Sequence, residues 1–106
     1  MRRVMVKYKV KPDRAAENEH YIKEVFAQLE RDRPAGLRYA SFKLEDGLSF
    51  IHIASLEAAD GSNPLLALAA FQDFTAQIKD RCDEPPVTTT LNEIGSYRLF
   101  AEGEHA

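Results

Sequence analysis

The chain has 106 residues, of which 44% are hydrophobic and 29% are charged, and its formal net charge is −3. This length and apolar content suit one compact domain, so we predict a single domain over residues 1–106, with residues 101–106 as a polar tail. The basic residues are scattered along an acidic chain, which excludes the electrostatic footprint of a nucleic-acid-binding protein.

The cysteine count and the apolar runs indicate the compartment. Cys82 is the single cysteine and cannot form an intramolecular disulfide, and no Cys or His pair has the spacing of metal ligands. The longest apolar run, Leu65–Phe71, is far shorter than the roughly 20 residues that a membrane span needs. Lysines interrupt the apolar residues within residues 1–10, so this segment lacks the continuous apolar core of a signal peptide. We therefore predict a cytoplasmic protein without a metal and without membrane contact.

The first half of the chain predicts a strand, a helix and a hairpin. Residues 3–10 alternate apolar and polar side chains, which is typical of a strand with one buried face. Asp13 is then expected to cap a helix that ends near Pro34. One apolar stripe at helical spacing supports this helix: Ile22, Val25, Phe26 and Leu29. Two strands follow within residues 37–57, joined by a tight turn at Asp46-Gly47.

The second half predicts a helix and a long final strand. Asn63 is a plausible N-cap, followed by a short apolar turn and then by a second amphipathic helix. The buried stripe of that helix is expected to contain Phe71, Phe74, Ile78 and, at its end, Cys82. Residues 86–100 are rich in β-branched and aromatic side chains and predict the last strand, with a bulge or bend at Gly95.

The predicted order is β-α-β-β-α-β, the ferredoxin-like arrangement of the α+β class. It places a four-stranded antiparallel sheet under two helices, so that the helices cover only one face of the sheet. Ile51 and Ile53 lie on the opposite face of the third strand from His52. Because a small sheet that is apolar on both sides usually hides its second face, we predict a homodimer formed through the sheet face.

This order of elements, together with FQDFTAQIKDRCDEPPVTTTLNEIGSY at residues 71–97, resembles the antibiotic-biosynthesis monooxygenase superfamily of dimeric α/β barrels. The resemblance covers nearly the whole chain. It implies that two sheets pack face to face in a dimer and that each subunit holds a pocket between its helices and its sheet. The superfamily contains cofactor-independent monooxygenases of phenols and quinols, haem-degrading enzymes and isomerases, so the fold alone does not give the function.

The absence of tryptophan narrows what the resemblance implies. Haem-degrading members use a tryptophan to distort the haem, and this chain has none. We therefore predict a cofactor-independent monooxygenase that acts on a small aromatic or quinol-type substrate without metal, flavin or haem. Two alternatives stay open: a non-catalytic dimer that is structural or binds a small molecule, and a lactone or enol isomerase of the same fold.

His52 is the first candidate for catalysis. An imidazole titrates near neutral pH and can exchange a proton with a phenol or an enol, although a histidine in a half-buried strand more often serves packing. Tyr8 is the second candidate, because its hydroxyl is expected to point into the pocket, where any buried tyrosine also needs a hydrogen-bond partner. His20, on the first helix, is expected to lie in solvent.

Four further residues are candidates for substrate binding: Phe71, Phe74, Tyr39 and Asn92. The two phenylalanines are expected to form the roof of the pocket, and core packing is the alternative for both. Aromatic-polyketide monooxygenases of this superfamily tend to use a tryptophan with a tyrosine, an asparagine and an arginine. The residues of this chain that are available for the last three roles are Tyr8, Tyr39, Tyr97, Asn92 and Arg98, and none of them lies in a diagnostic motif.

Overall fold

The computed structural model describes residues 1–99, and the predicted polar tail at 101–106 lies outside them. The elements are β1 (Arg2–Val10), α1 (Ala15–Asp32), β2 (Leu37–Lys43), β3 (Ser49–Leu56), α2 (Ala69–Ala76), α3 (Ile78–Arg81) and β4 (Cys82–Thr90). Short 3₁₀ turns precede α1 and α2, at Pro12–Arg14 and Pro64–Ala67. None of the described helices is long and apolar enough to cross a membrane.

The four strands form one antiparallel sheet in the order β2-β3-β1-β4. The predicted ferredoxin-like α+β arrangement is therefore confirmed. Alternate side chains of the two central strands face the helices and are buried, as the period of two predicts. The main core lies between this face and the helices, and its buried members are Tyr8, Val10, Val25, Phe50, Leu65, Leu68, Phe74 and Cys82.

Helix α1 follows the predicted apolar stripe but is not capped as predicted. Asp13 makes no capping hydrogen bond and lies within the 3₁₀ turn before the helix. The helix ends at Asp32 because Arg33 adopts the left-handed conformation with φ 43°, and its N–H donates to the carbonyl of Leu29 at 2.8 Å. Gly36 also has a positive φ, and β2 begins at the next residue.

The connection between β3 and α2 agrees with the prediction at Asn63. Its side-chain oxygen accepts a hydrogen bond from the N–H of Leu65 at 2.9 Å and caps the 3₁₀ turn. The predicted separate turn of leucines is confirmed. The helix that follows is shorter than predicted, because it breaks at Gln77 and ends at Arg81.

The final strand was predicted at residues 86–100, but β4 begins and ends earlier in the chain, at Cys82–Thr90. Cys82 is not the end of a helix but the first residue of β4, which ends at Thr90. The pairing of β1 with β4 extends to Val4 opposite Thr90, and beyond that pair the N–H of Leu91 donates to the carbonyl of Arg3 at 2.8 Å. The bulge lies near Lys9, where the β1–β4 register shifts, and not at Gly95.

The two prolines within β4 fit its position in the sheet. Pro85 and Pro86 cannot donate to a ladder, and β4 is an edge strand that pairs on one side only. The register shifts near Lys9 lie opposite this segment and accommodate the missing donors.

The sheet face opposite the helices is partly apolar. Ile51 and Ile53 lie on it half-buried, and Phe42 lies on it with 52% of its surface exposed. Leu99 approaches Ala40, Phe42 and Ile53 around a cavity of about 170 Å³. The face has the character that a partner subunit would cover, and the homodimer stays a prediction.

Candidate functional site

A cavity of about 180 Å³ lies between the helix-facing side of the sheet and the helices. Its walls are mostly apolar, with side chains from β1, the 3₁₀ turn, α2 and α3: Val4, Val6, Leu65, Phe71, Phe74 and Ile78. A few polar side chains also line it: Tyr8, Tyr39, His52, Asn63 and Thr75. An apolar cavity with a few convergent polar groups is the usual form of a small-molecule site.

His52 lies at the polar end of this cavity and is buried. The sheet register places it beside Val6 of β1 and Ser41 of β2, so that side chains from both neighbouring strands reach its ring. Its Nε2 lies 2.8 Å from the hydroxyl of Tyr8. Its Nδ1 lies 2.6 Å from the hydroxyl of Ser41 and 3.0 Å from that of Tyr39. Both ring nitrogens therefore have hydrogen-bond partners.

Aromatic rings enclose the imidazole of His52. The ring of Tyr8 is nearly parallel to it, with centroids 5.4 Å apart, and the ring of Tyr39 is stacked at 5.9 Å. Phe74 is tilted against it at 5.4 Å. This packing leaves little water around the ring, so its charged form is poorly solvated.

Burial shifts the pKa values of the groups in this site. It lowers the pKa of His52 from 6.5 to about 4, because the imidazolium loses its hydration. Burial raises the pKa of Tyr39 to about 12 and raises that of Tyr8 further, although the hydrogen bond from Asn18 opposes the shift at Tyr8. At pH 7 the site therefore holds a neutral imidazole between neutral phenols.

Two buried residues that the sequence analysis missed extend this network away from the cavity. The amide nitrogen of Asn18 donates to the Tyr8 hydroxyl at 2.9 Å. The Nε of Arg81 donates to the amide oxygen of Asn18 at 3.3 Å, and its Nη2 donates to the carbonyl of Phe74 at 2.7 Å. The guanidinium also lies over the ring of Tyr21, with its central carbon 4.6 Å from the ring centroid.

A signal for both residues was present in the helical spacing. Asn18 precedes Ile22 and Val25 by four and seven residues, so it lies on the buried stripe of α1. Arg81 follows Phe74 by seven residues, so the continuous helix predicted from the sequence places both on its apolar stripe. A polar residue on an apolar helical stripe is the pattern that would have identified them.

The structure brings most of the predicted site residues together. His52, Tyr8, Tyr39, Phe71 and Phe74 all line the cavity. The cavity is also lined by Asn63, which was predicted only as a helix cap, and Ser41, for which no role was predicted, contacts His52.

Asn92, the remaining substrate-binding candidate, lies outside the cavity, and His20 lies in solvent as predicted. Asn92 follows β4 and is exposed, and it does not line the cavity. His20 is solvent-exposed, with 71% of its side chain accessible, and its Nε2 lies 3.7 Å from Glu24. Within residues 1–99, no group of three or more His, Cys, Asp or Glu side chains is arranged to hold a metal ion.

The fold and the cavity define a ferredoxin-like α+β protein with a pocket between its sheet and its helices. Solved structures share this fold, and several of them are described as antibiotic biosynthesis monooxygenases. Rv0793 from Mycobacterium tuberculosis superposes with a TM-score of 0.72 at 14% identity, covering 90% of this chain and 96% of that chain. SnoaB, a cofactor-independent oxygenase from Streptomyces nogalater, superposes with a TM-score of 0.65 at 16% identity, covering 90% of this chain and 94% of that chain.

A third solved structure, a proposed antibiotic biosynthesis monooxygenase from Caulobacter crescentus, gives a TM-score of 0.67 at 20% identity, covering 89% of this chain and 90% of that chain. No protein-family model matches the sequence, and no curated protein does. The predicted resemblance is confirmed as a likeness of fold, and the activity has to be argued from the site.

Proposed function

We propose that the protein is a cofactor-independent monooxygenase that acts on a small aromatic, quinol-type substrate in the cavity at His52. The observation that carries this proposal is the hydrogen bond between the Tyr8 hydroxyl and His52 Nε2, which are 2.8 Å apart. Both groups line an otherwise mostly apolar cavity. An apolar cavity binds an aromatic ring, and the pair supplies a hydroxyl and an imidazole that exchange protons with it.

The volume of the cavity limits the size of the substrate. A protein cavity of about 150 Å³ lined by apolar side chains is known to bind benzene. The cavity of about 180 Å³ therefore suits one aromatic ring with small substituents, packed against Phe71 and Phe74. Monocyclic quinols are the substrate class that we propose, ahead of polycyclic phenols.

The proton of the substrate leaves through Tyr8. A phenol bound in the cavity donates a hydrogen bond to the Tyr8 hydroxyl, which passes its own proton to His52 Nε2. The low pKa of His52 keeps the imidazole neutral and able to accept a proton at pH 7. The resulting imidazolium forms beside a phenolate, and two opposite charges attract strongly in a site with little water.

The deprotonated substrate is the reductant and dioxygen is the oxidant. One electron passes from the substrate anion to dioxygen, and the resulting radical and superoxide combine into a carbon–oxygen bond. The peroxide takes a proton and loses water, so that a ring CH2 of the keto tautomer becomes C=O. One oxygen atom enters the product and the other leaves as water, which balances a four-electron transfer. The protein orients the ring and excludes water.

We propose further that the active form is a homodimer of a single-domain chain and that it works in the cytoplasm. The open face of the sheet supports the dimer, because Ile51, Ile53 and the exposed Phe42 lie together on it. The helix-facing cavity lies on the other side of the sheet, so a partner on the open face would leave it accessible.

A non-catalytic binding protein is the second candidate, and one observation favours it. Both nitrogens of His52 already have protein partners, as they do in histidines that serve packing alone. Such a protein would bind the same ring in the same cavity without turnover.

The test is oxygen uptake by the chelator-treated protein in the presence of monocyclic and polycyclic quinols. We expect protein-dependent uptake with the monocyclic compounds, and product formation that stops under nitrogen. Product formed equally well under nitrogen would replace the monooxygenase with an isomerase. Binding of the quinols without uptake would favour the non-catalytic protein.

Three variants link the uptake to the site. His52→Ala removes the proton acceptor and Tyr8→Phe removes the hydroxyl that connects it to the cavity, so we expect each to lower uptake at least about 100-fold, the size of a general-base contribution. His20→Ala is the matched control, because His20 lies on the surface away from the cavity. Equal rates for all three variants would contradict the assignment of the site.

A further inference from the structure

The hydrogen bonds at His52 end at a buried arginine. Arg81 is 1% exposed, and within residues 1–99 no carboxylate lies within ion-pair distance of it. Its polar partners are neutral: the amide oxygen of Asn18 and the carbonyl of Phe74.

The guanidinium of Arg81 also packs over the ring of Tyr21. A hydrogen bond from Arg14 lowers the pKa of Glu17, and the charge of Arg81 adds to this shift without an ion pair. A buried guanidinium whose hydrogen bonds go to neutral oxygens is costly for a fold, so we ask what its position in this network contributes.

Arg81 fixes the direction of the first hydrogen bond. A guanidinium carries only donors, so the Asn18 atom that faces it must be the amide oxygen. The amide nitrogen of Asn18 then points at the Tyr8 hydroxyl and donates to it. Asn18 is 0% exposed, so water does not replace either contact.

The direction of the second bond follows from the first. Within the described part of the chain, Asn18 and His52 are the hydrogen-bond partners of the Tyr8 hydroxyl. Since Asn18 donates to it, His52 Nε2 is the acceptor that the described residues offer to the hydroxyl hydrogen of Tyr8. If Nε2 carried a proton instead, the buried hydroxyl of Tyr8 would receive two donors, and its own hydrogen would have no acceptor among the described residues.

We propose that Arg81 and Asn18 are positioning residues that hold His52 in the tautomer with the proton on Nδ1 and the Nε2 lone pair directed at Tyr8. The other side of the ring does not set this choice. The hydroxyls of Ser41 and Tyr39 near Nδ1 each rotate to accept or to donate, so they adapt to either tautomer.

The importance of this tautomer for catalysis rests on the proposed function, whereas the assignment of the tautomer does not. Only the lone pair of Nε2 can take a proton through Tyr8 from a phenol in the cavity. In the other tautomer the same atoms occupy the same places, but Nε2 is already protonated. Arg81 and Asn18 act on the reaction through Tyr8 and His52, without reaching the cavity themselves.

The test is nitrogen NMR of the protein carrying ¹⁵N-labelled histidine, at about pH 8, where neutral tautomers are observed. The resonance of His52 is assigned by its loss in His52→Gln. We expect a protonated Nδ1 and an unprotonated Nε2 in the wild-type protein. A protonated Nε2 in the wild-type protein would overturn the proposal.

Asn18→Asp is the decisive variant, because it keeps the shape of the side chain and gives Arg81 a carboxylate partner. The new carboxylate can only accept, so the Tyr8 hydroxyl turns toward it and His52 Nε2 becomes the donor to Tyr8. We expect the tautomer of His52 to reverse. An unchanged tautomer in a folded Asn18→Asp protein would contradict the role of Asn18.

The double variant Tyr8→Phe with Asn18→Asp tests whether Asn18 acts on His52 through the Tyr8 hydroxyl. Without the Tyr8 hydroxyl, Asn18 has no connection to His52, so the tautomer should equal that of Tyr8→Phe alone. A difference between these two proteins would show that Asn18 acts by another route and would overturn the proposal.

The NMR and the oxygen electrode separate the two proposals. A wild-type protein with the expected tautomer and no uptake leaves the positioning inference standing and removes the oxygenase. A wild-type protein that oxidises quinols but carries a proton on His52 Nε2 removes the positioning inference and leaves the oxygenase standing. If both proposals hold, Asn18→Asp should reverse the tautomer and lower uptake together.

Discussion

The protonation state of His52 is set by its surroundings and not by a neighbouring charge. Burial alone accounts for the lowered pKa, since the contacts of the ring are hydroxyls and aromatic faces. A neutral imidazole with both nitrogens hydrogen-bonded is a stable component of the core at pH 7. Protonating it costs free energy, which gives the stability of the protein a pH dependence.

We predict that the free energy of unfolding rises between about pH 4 and pH 6.5 because of His52. The unfolded chain binds a proton near pH 6.5 and the folded chain only near pH 4, so the stability that neutral His52 contributes is complete above 6.5 and is lost as the pH falls. The full difference corresponds to about 3 kcal/mol. Urea unfolding at a series of pH values measures it.

His52→Gln is the control for this pH dependence, because glutamine hydrogen-bonds without titrating. Asp46 does not contribute to the pH dependence between about pH 4 and pH 6.5. Hydrogen bonds from Ser49 and Leu48 lower its pKa to about 2, which is below that interval. The same slope in the wild-type protein and the variant would show that His52 is not the group responsible.

We predict that Tyr8→Phe destabilises the protein by about 1–3 kcal/mol, because it leaves a donor of Asn18 and a nitrogen of His52 buried without a partner. Thermal or urea unfolding measures the loss. Tyr97→Phe is the matched control, since Tyr97 is 84% exposed and should change the stability little. Equal effects of the two substitutions would contradict the buried network.

At the scale of the elements, α1 ends on a strained residue. Arg33 has φ 43°, a conformation that costs a residue with a Cβ roughly 1–2 kcal/mol and costs glycine almost nothing. We predict that Arg33→Gly is more stable than Arg33→Ala by about 0.5–1 kcal/mol, after the greater chain entropy of unfolded glycine is subtracted. Urea unfolding of the two variants checks this, and a more stable Arg33→Ala would contradict the left-handed cap.

The sequence predicts elements well where the signal is local. The alternation in β1, the stripe of α1 and the Asp46-Gly47 turn each specify an element from neighbouring residues. The end of β4 is not local, because it depends on how far this segment pairs with β1. Pro85 and Pro86 argued against a strand, and the edge position that makes them acceptable is known only once the sheet is assembled.

The same distinction holds for the site. Tyr8 was predicted on the helix-facing side of β1, and His52 on the face of β3 opposite Ile51 and Ile53, because a period of two assigns faces within a strand. That the two side chains meet follows from the β1–β3 register. Their contacts with Ser41 and Asn18 depend on the strand register and on the docking of α1, which no local pattern gives. Asn92 belongs to a segment after β4 whose course the strand prediction misplaced.

At the scale of the whole molecule, the open sheet face is where we propose that two copies of the chain associate. We predict that the protein is a dimer in light scattering after gel filtration, and that Ile53→Lys weakens the dimer by about 3 kcal/mol or more, about 100-fold in Kd, because it buries an unpaired charge. Leu66→Lys is the control, since Leu66 is exposed and lies in the 3₁₀ turn away from this face. A monomeric wild-type protein would contradict the prediction.

The central claim is that a phenolic ring occupies the cavity and meets His52 through Tyr8. The most direct measurement is an NMR titration of the ¹⁵N-histidine protein with a monocyclic phenol under nitrogen, where no turnover occurs. We predict that the Nε2 resonance of His52 shifts with saturation, that His20 does not respond, and that Tyr8→Phe abolishes the shift. Saturable binding that leaves His52 unmoved, or no binding at all, would contradict the account.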